Sequence, residues 1–220
     1  MSPPGTRYRN AGNADLLAAV PRNGGRVLDI GCGAGDNARL LRQRGHAVIG
    51  VTSSPAEAEV AAPDLDAVIV ADVESGPLDL GASSFDVILL SHVLEHLRDP
   101  AAVLNRMAPL LTPGGLAIVA VPNMANWRLR LQFLKGDWRR PDTGPLDRTH
   151  LQFWSFRTAP SIVEGTLFRL AKHRGGGYGV PFWPVRRLFP RLGRWVDSVV
   201  GPRAPNLFAS QCILVLRRAE

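Results

Sequence analysis

The 220-residue chain has few cysteines, no long apolar run and no sign of general disorder. Its two cysteines, Cys32 and Cys212, lie far apart, and Cys32 falls within a glycine-rich stretch, so we predict no stabilising disulfide. The first ten residues are polar and lack the apolar core of a secretory signal, and no stretch approaches the length of a membrane span. A hydrophobic share of 45% excludes wholesale disorder. These absences predict a cytoplasmic protein with a single domain over residues 1–220.

Positive charge is abundant but unevenly distributed. The formal net charge is +7, and arginines concentrate between Arg128 and Arg218, whereas the first hundred residues are close to balanced. Such a skew is typical of proteins that meet nucleic acid, an anionic membrane surface or an acidic substrate. It is equally typical of an arginine-rich proteome with no specific partner, so charge alone does not identify one.

Apolar segments suited to strands alternate with helical segments along the chain. We predict strands at 26–30, 47–51, 67–71, 85–90, 116–121, 167–173 and 208–216. We predict helices at 14–20, 35–44, 55–62, 100–110 and 155–164. This alternation predicts parallel βαβ units in a doubly wound sheet, with ligand sites at the carboxyl ends of the strands.

The most informative stretch is 27–35, Val-Leu-Asp-Ile-Gly-Cys-Gly-Ala-Gly, where a buried strand meets three alternate glycines before a helix. Glycines let the backbone approach a ligand, and the helix N-terminus offers free N–H groups. The stretch lacks the G-x-G-x-x-G of dinucleotide sites and the Lys-Ser/Thr of a phosphate loop, so a triphosphate is not predicted. It resembles motif I of the class I S-adenosylmethionine (SAM)-dependent methyltransferases.

This resemblance covers residues 26–121 well and the remainder loosely. It implies an α/β fold with a Rossmann-like doubly wound sheet of seven strands, mostly parallel with an antiparallel last strand. It also implies SAM as the cofactor. The cofactor-binding residues implied by the resemblance are Asp29, Gly31, Gly33, Gly35, Thr52, Glu57, Asp72, Val73, Ser91 and His92. No metal is predicted.

The ribose contact departs from the family pattern because the second strand ends at Thr52 without an acidic residue. The segment 50–57, Gly-Val-Thr-Ser-Ser-Pro-Ala-Glu, is similar to family branches in which the final acid reaches back to the ribose. We therefore expect Glu57 to hold the ribose with help from Thr52. Alternatively, Glu57 is only an exposed acidic residue in the first turn of its helix, where the helix dipole favours negative charge. The alternative for Asp72, expected near the adenine, is a carboxylate that caps a turn.

A rival interpretation concerns His92, Glu95 and His96, whose H-x-x-E-H spacing matches that of inverted zinc peptidases. Here the motif follows a predicted parallel strand rather than lying within a long helix, and we predict no third ligand nearby. We therefore expect His92 to line the methyl-donor side of the pocket, and zinc hydrolysis is not predicted.

The catalytic candidates lie in the second half of the chain. His150 has a pKa suited to taking a proton near neutrality, and we expect Asp147 to orient it. The alternative is a histidine that only holds a lid in place. The segment 147–155, Asp-Arg-Thr-His-Leu-Gln-Phe-Trp-Ser, is similar to one in ubiquinone-type and saccharide-modifying O-methyltransferases. The segment 122–131 instead resembles the MetW proteins, which supports a non-catalytic partner role.

Residues 123–150 and 175–206 are predicted to be substrate-side insertions that form a lid. Within them, 178–195 mixes aromatic residues with arginines, which is compatible with a lid, a peripheral membrane contact or RNA stacking, in that order of preference. The predicted function is methyl transfer from SAM to an oxygen of a small-molecule or lipid-linked acceptor, such as a saccharide or natural-product intermediate. RNA methylation is the least favoured alternative, and the oligomeric state is not predicted.

Overall fold

The centre of the molecule is a seven-stranded sheet, seen in a computed structural model that describes residues 11–76, 78, 80, 84–181 and 188–219. Its strands are β1 (Gly25–Ile30), β2 (His46–Thr52), β3 (Ala67–Val70), β4 (Phe85–Ser91), β5 (Leu111–Pro122), β6 (Phe168–Gly176) and β7 (Gln211–Arg218). They lie in the order β3-β2-β1-β4-β5-β7-β6. Strands β1 to β5 pair in parallel, and β7 is antiparallel to both β5 and β6. The predicted fold class is confirmed.

Short helices connect these strands. The α-helices are α1 (Ala14–Leu17), α2 (Asp36–Arg42), α3 (Pro55–Ala61), α4 (Pro100–Met107), α5 (Trp127–Leu134), α6 (Pro190–Val200) and α7 (Pro205–Phe208). Single 3₁₀ turns are found at Ala62–Asp64, Leu94–His96, Ala108–Leu110, Ala159–Val163 and Gly201–Arg203. None of the described helices combines the length and apolar character needed to cross a membrane.

Polar side chains determine where several of these helices begin. The side-chain oxygens of Asn13, Ser54, Asp99 and Asn126 each accept a hydrogen bond from a backbone N–H in the first turn of the following helix. Proline follows directly in α3 and α4, where its missing N–H costs nothing. These caps explain why the predicted helix starts in the first half of the chain agree closely with the structure.

The sheet has a hydrophobic core on each face. Alternate residues of β1 and β4 belong to different clusters: Leu28 and Leu90 pack on one face, and Val27 and Leu89 on the other. All four side chains are buried, as expected for central parallel strands that are covered on both faces. The carboxyl ends of β1, β2 and β4 are thereby held rigidly at one edge of the sheet.

Several predicted boundaries in the second half of the chain are wrong. The predicted helix over 155–164 is only the 3₁₀ turn Ala159–Val163, because the hydroxyls of Ser155 and Thr158 accept each other's backbone N–H groups and compete with helix formation. Strand β5 begins early, at Leu111, with an irregular register before residue 116. Strand β7 begins late, because α7 occupies 205–208.

The two predicted insertions differ in how they fold. Residues 123–150 contain α5 and then continue to His150 without further regular structure. In the second insertion, residues 182–187 of the predicted aromatic and basic segment 178–195 lie outside the described residues. On either side of them, Val180 donates its N–H to Asp197 Oδ1 at 2.9 Å, and Gly179 accepts from the Trp127 indole N–H. The second of these contacts, between Trp127 and Gly179, joins the two insertions.

Candidate active site

The glycine turn lies between the end of β1 and the start of α2. The backbone N–H groups of Gly31 and Cys32 both donate to the carbonyl oxygen of Val51, at 2.8 and 3.0 Å, which ties the turn to the end of β2. Gly33 and Gly35 follow with φ angles of +53° and +82°. The turn therefore has the strand–turn–helix context that the sequence predicted.

The three glycines have different roles. A Cβ on Gly31 would lie 2.5 Å from Val93 Cγ2, and one on Gly35 would lie 3.2 Å from the Cα of Ala61. Those two glycines allow the turn to pack against its neighbours. A Cβ on Gly33 would meet no described atom within 4 Å, so the backbone there borders open space. Gly33 is the glycine whose backbone a ligand can approach.

Asp29 lies on β1, two residues before the turn. Its side chain is fully buried, and neither carboxylate oxygen has a hydrogen-bond partner among the described residues. Burial raises the pKa of this carboxyl from 3.8 to about 7. An uncompensated carboxylate of this kind fits a ligand that carries a positive charge.

Glu57 and Thr52 lie together beside this turn. The Thr52 hydroxyl donates to Glu57 Oε2 at 2.9 Å, and the Ser54 side chain caps α3 by accepting the N–H of Glu57 at 3.3 Å. Burial, followed by the negative charges of Asp29 and Glu57, raises the pKa of the Cys32 thiol. The carboxylates of Asp29 and Glu57 therefore both lie close to the glycine turn, as predicted.

Asp72 and Val73 follow the third strand. Asp72 is exposed, and its Oδ1 accepts the backbone N–H of Glu74 at 2.9 Å. Asp72 therefore caps a turn, which is the alternative role that the sequence leaves open. The Val73 carbonyl accepts from the Arg106 guanidinium at 2.8 Å. The Ala71 N–H donates to Thr52 O, which brings this segment beside the end of β2.

The end of β4 makes a sharp turn at His92, which has a φ of +57°. Its ring bridges two side chains, with Nδ1 3.1 Å from Glu95 Oε1 and Nε2 3.1 Å from Gln211 Oε1. Partial desolvation lowers the pKa of His92, but the hydrogen bond to Glu95 and its charge raise it by more, so the net shift is upward. The preceding residue, Ser91, accepts from Asn13 Nδ2 at 3.4 Å.

Asn13 and Gln211 are site residues that the sequence did not indicate. Asn13 caps α1, and its side chain also exchanges hydrogen bonds with Gln211, at 2.8 and 3.1 Å. Gln211 begins β7, nearly two hundred residues later. No local motif marks either residue as part of the pocket edge, because the contact exists only once β7 is inserted beside β5.

The catalytic pair predicted from the sequence is connected differently in the structure. We expected Asp147 to orient His150, but Asp147 Oδ1 instead accepts from the N–H and hydroxyl of Thr149, at 2.8 and 2.7 Å. The buried His150 ring uses Nδ1 to contact the Pro145 carbonyl at 3.0 Å. The Thr149 hydroxyl also lies 2.9 Å from His96 Nδ1. The Asp147 carboxylate therefore reaches His96 through Thr149, whereas the hydrogen bond between Asp147 and His150 is made by the backbone, the His150 N–H donating to the Asp147 carbonyl at 3.1 Å.

His150 lies beside the segment that follows β4. The His96 and His150 rings meet edge to face with centroids 4.6 Å apart. The carbonyl of Glu95 accepts the N–H groups of Leu151 and Gln152, at 2.7 and 3.1 Å, which ties the two segments together. We predicted no third ligand near the H-x-x-E-H motif, and this is wrong, because His150 lies next to Glu95 and His96.

A surface cavity of about 730 Å³ lies along α5 and the segment that follows it rather than at the glycine turn. Its lining residues are Arg128, Leu131, Gln132, Lys135, Asp137, Arg139, Arg140 and Pro141. Arg140 also donates to the carbonyl oxygens of Asp147, Arg148 and His150, at 3.1, 3.0 and 2.7 Å. Arg140 therefore lines the basic cavity and also holds the segment that carries His150.

The family model for a methyltransferase domain matches residues 6–170 of the chain. A ubiquinone biosynthesis O-methyltransferase from Caulobacter sp. strain K31 is 36% identical over 201 residues, covering 87% of this chain and 73% of that protein. A protein of the same name from Cereibacter sphaeroides strain KD131 is 33% identical over 128 residues, covering 56% of this chain. The chain matches only about half of that relative's length, 52%.

Solved structures show a similar fold. A SAM-dependent methyltransferase from Archaeoglobus fulgidus superposes with a TM-score of 0.63 at 20% identity, covering 93% of this chain and 91% of that one. A structure of the Haloferax volcanii Trm112 activator in complex with a methyltransferase gives a TM-score of 0.63 at 19% identity, covering 94% and 88%. At these identities the similarity concerns the fold.

Proposed function

Because the chain belongs to the family of SAM-dependent methyltransferases, we propose that it transfers the methyl group of SAM to an oxygen of a small-molecule or lipid-linked acceptor. The observation that carries this proposal is the combination of open space at Gly33 with the buried, unpartnered carboxylate of Asp29. The open space at Gly33 allows part of the cofactor to contact the protein backbone. The Asp29 carboxylate fits the positively charged part of the cofactor. Its sulfonium supplies an electrophilic methyl group when bound.

Around this cofactor we assign distinct tasks to the predicted residues. The turn from Gly31 to Gly35 provides the backbone cradle, and Asp29 faces the cationic end. The paired side chains of Thr52 and Glu57 are placed to accept the ribose hydroxyls. The adenine is assigned to the segment at Asp72 and Val73, where the second oxygen of Asp72 and the backbone are the available partners. Ser91 and His92 line the methyl-donor side.

We place the acceptor next to the end of β4, where His150 and His96 meet. A hydroxyl acceptor must lose its proton as its oxygen attacks the methyl group. The Pro145 carbonyl can only accept a hydrogen bond, so His150 carries its proton on Nδ1 and presents the lone pair of Nε2. His150 Nε2 is therefore the group we assign as proton acceptor. Asp147 is reassigned as a positioning residue that acts through Thr149.

The choice of oxygen and of a lipid-linked acceptor has separate support. Relatives at 33–36% identity carry the name O-methyltransferase, which supports oxygen as the acceptor atom. Within the second insertion, Leu188, Phe189, Leu192 and Trp195 are exposed around α6, and Arg191 and Arg194 lie in the same helix. Apolar side chains interspersed with arginines fit a lipid-bearing acceptor or a membrane surface.

Calorimetry and a transfer assay test this proposal in sequence. Titration of the purified chain with S-adenosylhomocysteine should show one binding site, and its absence in folded protein would remove the cofactor assignment. Tritium-labelled SAM with cell extract should then yield a labelled metabolite. Binding without any labelled product would favour the non-catalytic role of the MetW type, and label recovered in RNA would favour RNA methylation.

A further inference from the structure

Three side chains from two distant segments form a compact cluster beside the pocket. Glu95 and His96 follow β4, and His150 ends the first insertion. One carboxylate oxygen of Glu95 and one ring nitrogen of each histidine all lie within 4.8 Å of one another. Glu95 and His150 are buried, and His96 is half-buried. Two imidazoles and one carboxylate are a donor set typical of divalent transition-metal sites.

The hydrogen bonds around the two histidines leave one ring nitrogen of each available. His150 donates from Nδ1 to the Pro145 carbonyl at 3.0 Å. The Thr149 hydroxyl donates to the Asp147 carboxylate at 2.7 Å, so His96 Nδ1, 2.9 Å from that hydroxyl, is the donor in their contact. Both imidazoles therefore hold their proton on Nδ1 and present Nε2 lone pairs. Metal-ligating histidines almost always show this arrangement, with an oxygen acceptor behind each ring.

The carboxylate of Glu95 supplies the second, independent observation. Glu95 is 1% exposed, and its Oε1 contacts His92 Nδ1 at 3.1 Å. Its Oε2 is buried and has no hydrogen-bond partner within the part of the chain that the structure describes. A buried carboxylate oxygen without a partner is costly, and a cation next to it would offset that cost.

We propose that Glu95, His96 and His150 bind a divalent transition-metal ion on the acceptor side of the pocket. Two nitrogen donors and one carboxylate favour an ion of the Zn²⁺, Co²⁺ or Fe²⁺ type over Mg²⁺ or Ca²⁺, which prefer oxygen ligands. Ligand bonds of about 2.0–2.2 Å separate two ligand atoms by about 3.4 Å, so the three side chains need to close by at most ~1.5 Å. Three protein ligands leave a further coordination position open, as in catalytic sites.

The role of this ion rests on the proposed function. With an ion bound, the hydroxyl of the acceptor would be placed to occupy the open position. Coordination would lower the pKa of that hydroxyl, its proton would pass to solvent, and the ion would stabilise the resulting oxygen anion for methylation. His150 then serves as a ligand and not as the proton acceptor. The two roles of His150 are mutually exclusive, which makes the proposal testable.

Metal binding can be measured without any acceptor. The purified chain is stripped with a chelator and titrated with Co²⁺, whose visible absorption reports coordination by imidazole. One Co²⁺ per chain should bind, and Zn²⁺ should displace it. His96→Ala and His150→Ala should each weaken binding by at least about 10-fold, and Asp147→Asn by a smaller factor through Thr149. His173→Ala is the matched control, since His173 stacks on Phe156 outside the cluster and its loss should leave Co²⁺ binding unchanged.

The outcomes separate this proposal from the proposed function. An absence of Co²⁺ absorption, or equal binding by the folded wild type and His150→Ala, would overturn the site. If a histidine variant fails to fold, the Co²⁺ affinity of Asp147→Asn is compared with that of the wild type. Weaker binding supports the site, and equal binding overturns it. Loss of methyl transfer on chelation, restored by Zn²⁺ or Co²⁺, supports the catalytic role, whereas chelator-insensitive transfer overturns that role and returns His150 to acting as a base. A failure to bind S-adenosylhomocysteine would remove the proposed methyl transfer and the ion's role in it, but not the metal site itself.

Discussion

The cofactor side and the acceptor side that we propose for the pocket are built in different ways. On the cofactor side the key contacts are local: Thr52 meets Glu57 five residues later, and Ser54 caps the helix that carries Glu57. On the acceptor side the contacts span long stretches of chain. His96 meets Thr149 at a separation of 53 residues, and the carbonyl of Glu95 accepts the N–H of Leu151, 56 residues later.

This difference determines how each side responds to substitution. A local turn depends on backbone conformation at a few positions, so a change there affects ligand binding and leaves the rest of the sheet intact. A long-range network depends on the correct placement of β5, β7 and the insertion, so a change there affects stability as well. The following predictions test this contrast in order of decreasing effect.

Replacing Gly33 with valine should have the largest effect on cofactor binding. The residue has a φ of +53°, which a β-branched side chain rarely adopts, and its Cβ would enter the open space assigned to the ligand. We expect affinity for S-adenosylhomocysteine, measured by calorimetry, to fall by at least about 100-fold, or ~3 kcal/mol. Gly45→Val is the control, since Gly45 also has a positive φ and open space but lies in a distant turn. Equal affinity losses in both variants would contradict the assignment.

Asp29→Asn should change how stability depends on pH. Burial raises the pKa of Asp29 to about 7, so the ligand-free folded state holds a proton that the unfolded chain releases near pH 3.8. Stability from this group is therefore present below about pH 4 and is lost as the pH rises to about 7. The full shift corresponds to ~4 kcal/mol. Thermal unfolding across this range should show a flatter pH dependence in the variant; identical curves for wild type and variant would refute the assignment.

Asn123→Ala should destabilise the acceptor side. The buried Asn123 amide donates to the carbonyl of Ala209 at 2.8 Å, and its oxygen accepts the N–H groups of Ala125 and Phe156. Its loss leaves several buried groups unpaired, so we expect a decrease of ~2–3 kcal/mol in the free energy of unfolding by urea. Asn105→Ala, at a more exposed loop contact, should cost less than about 1 kcal/mol. A similar cost for both would weaken the contrast between the two sides.

Glu57→Ala should have the smallest of these effects. If the carboxylate holds the ribose, cofactor binding should weaken by ~1–3 kcal/mol without loss of fold stability. Glu59→Ala provides the control because Glu59 lies in the same helix with its side chain exposed. Unchanged binding in the Glu57 variant would leave the ribose to Thr52.

Sequence patterns were sufficient for most of the fold and for the local structure around the glycine turn. The alternation of apolar strands with helices predicted the sheet, because central strands covered on both faces must be continuously apolar, as Leu28, Leu89 and Leu90 are. The glycine turn, the helix cap at Ser54 and the Thr52–Glu57 pair are built from neighbouring residues. Their geometry follows from backbone conformation and local hydrogen bonds, which depend little on the rest of the chain.

The acceptor side was decided by tertiary structure. The order β5-β7-β6 brings Gln211 to His92, and the path of the first insertion brings His150 to Glu95 and His96. Pairing between groups more than fifty residues apart depends on sheet order and chain path, and no local propensity encodes either. Asp147 and His150 are close in the chain, and the sequence therefore suggests them as a pair. In the folded protein the Asp147 carboxylate instead reaches His96, through the Thr149 hydroxyl.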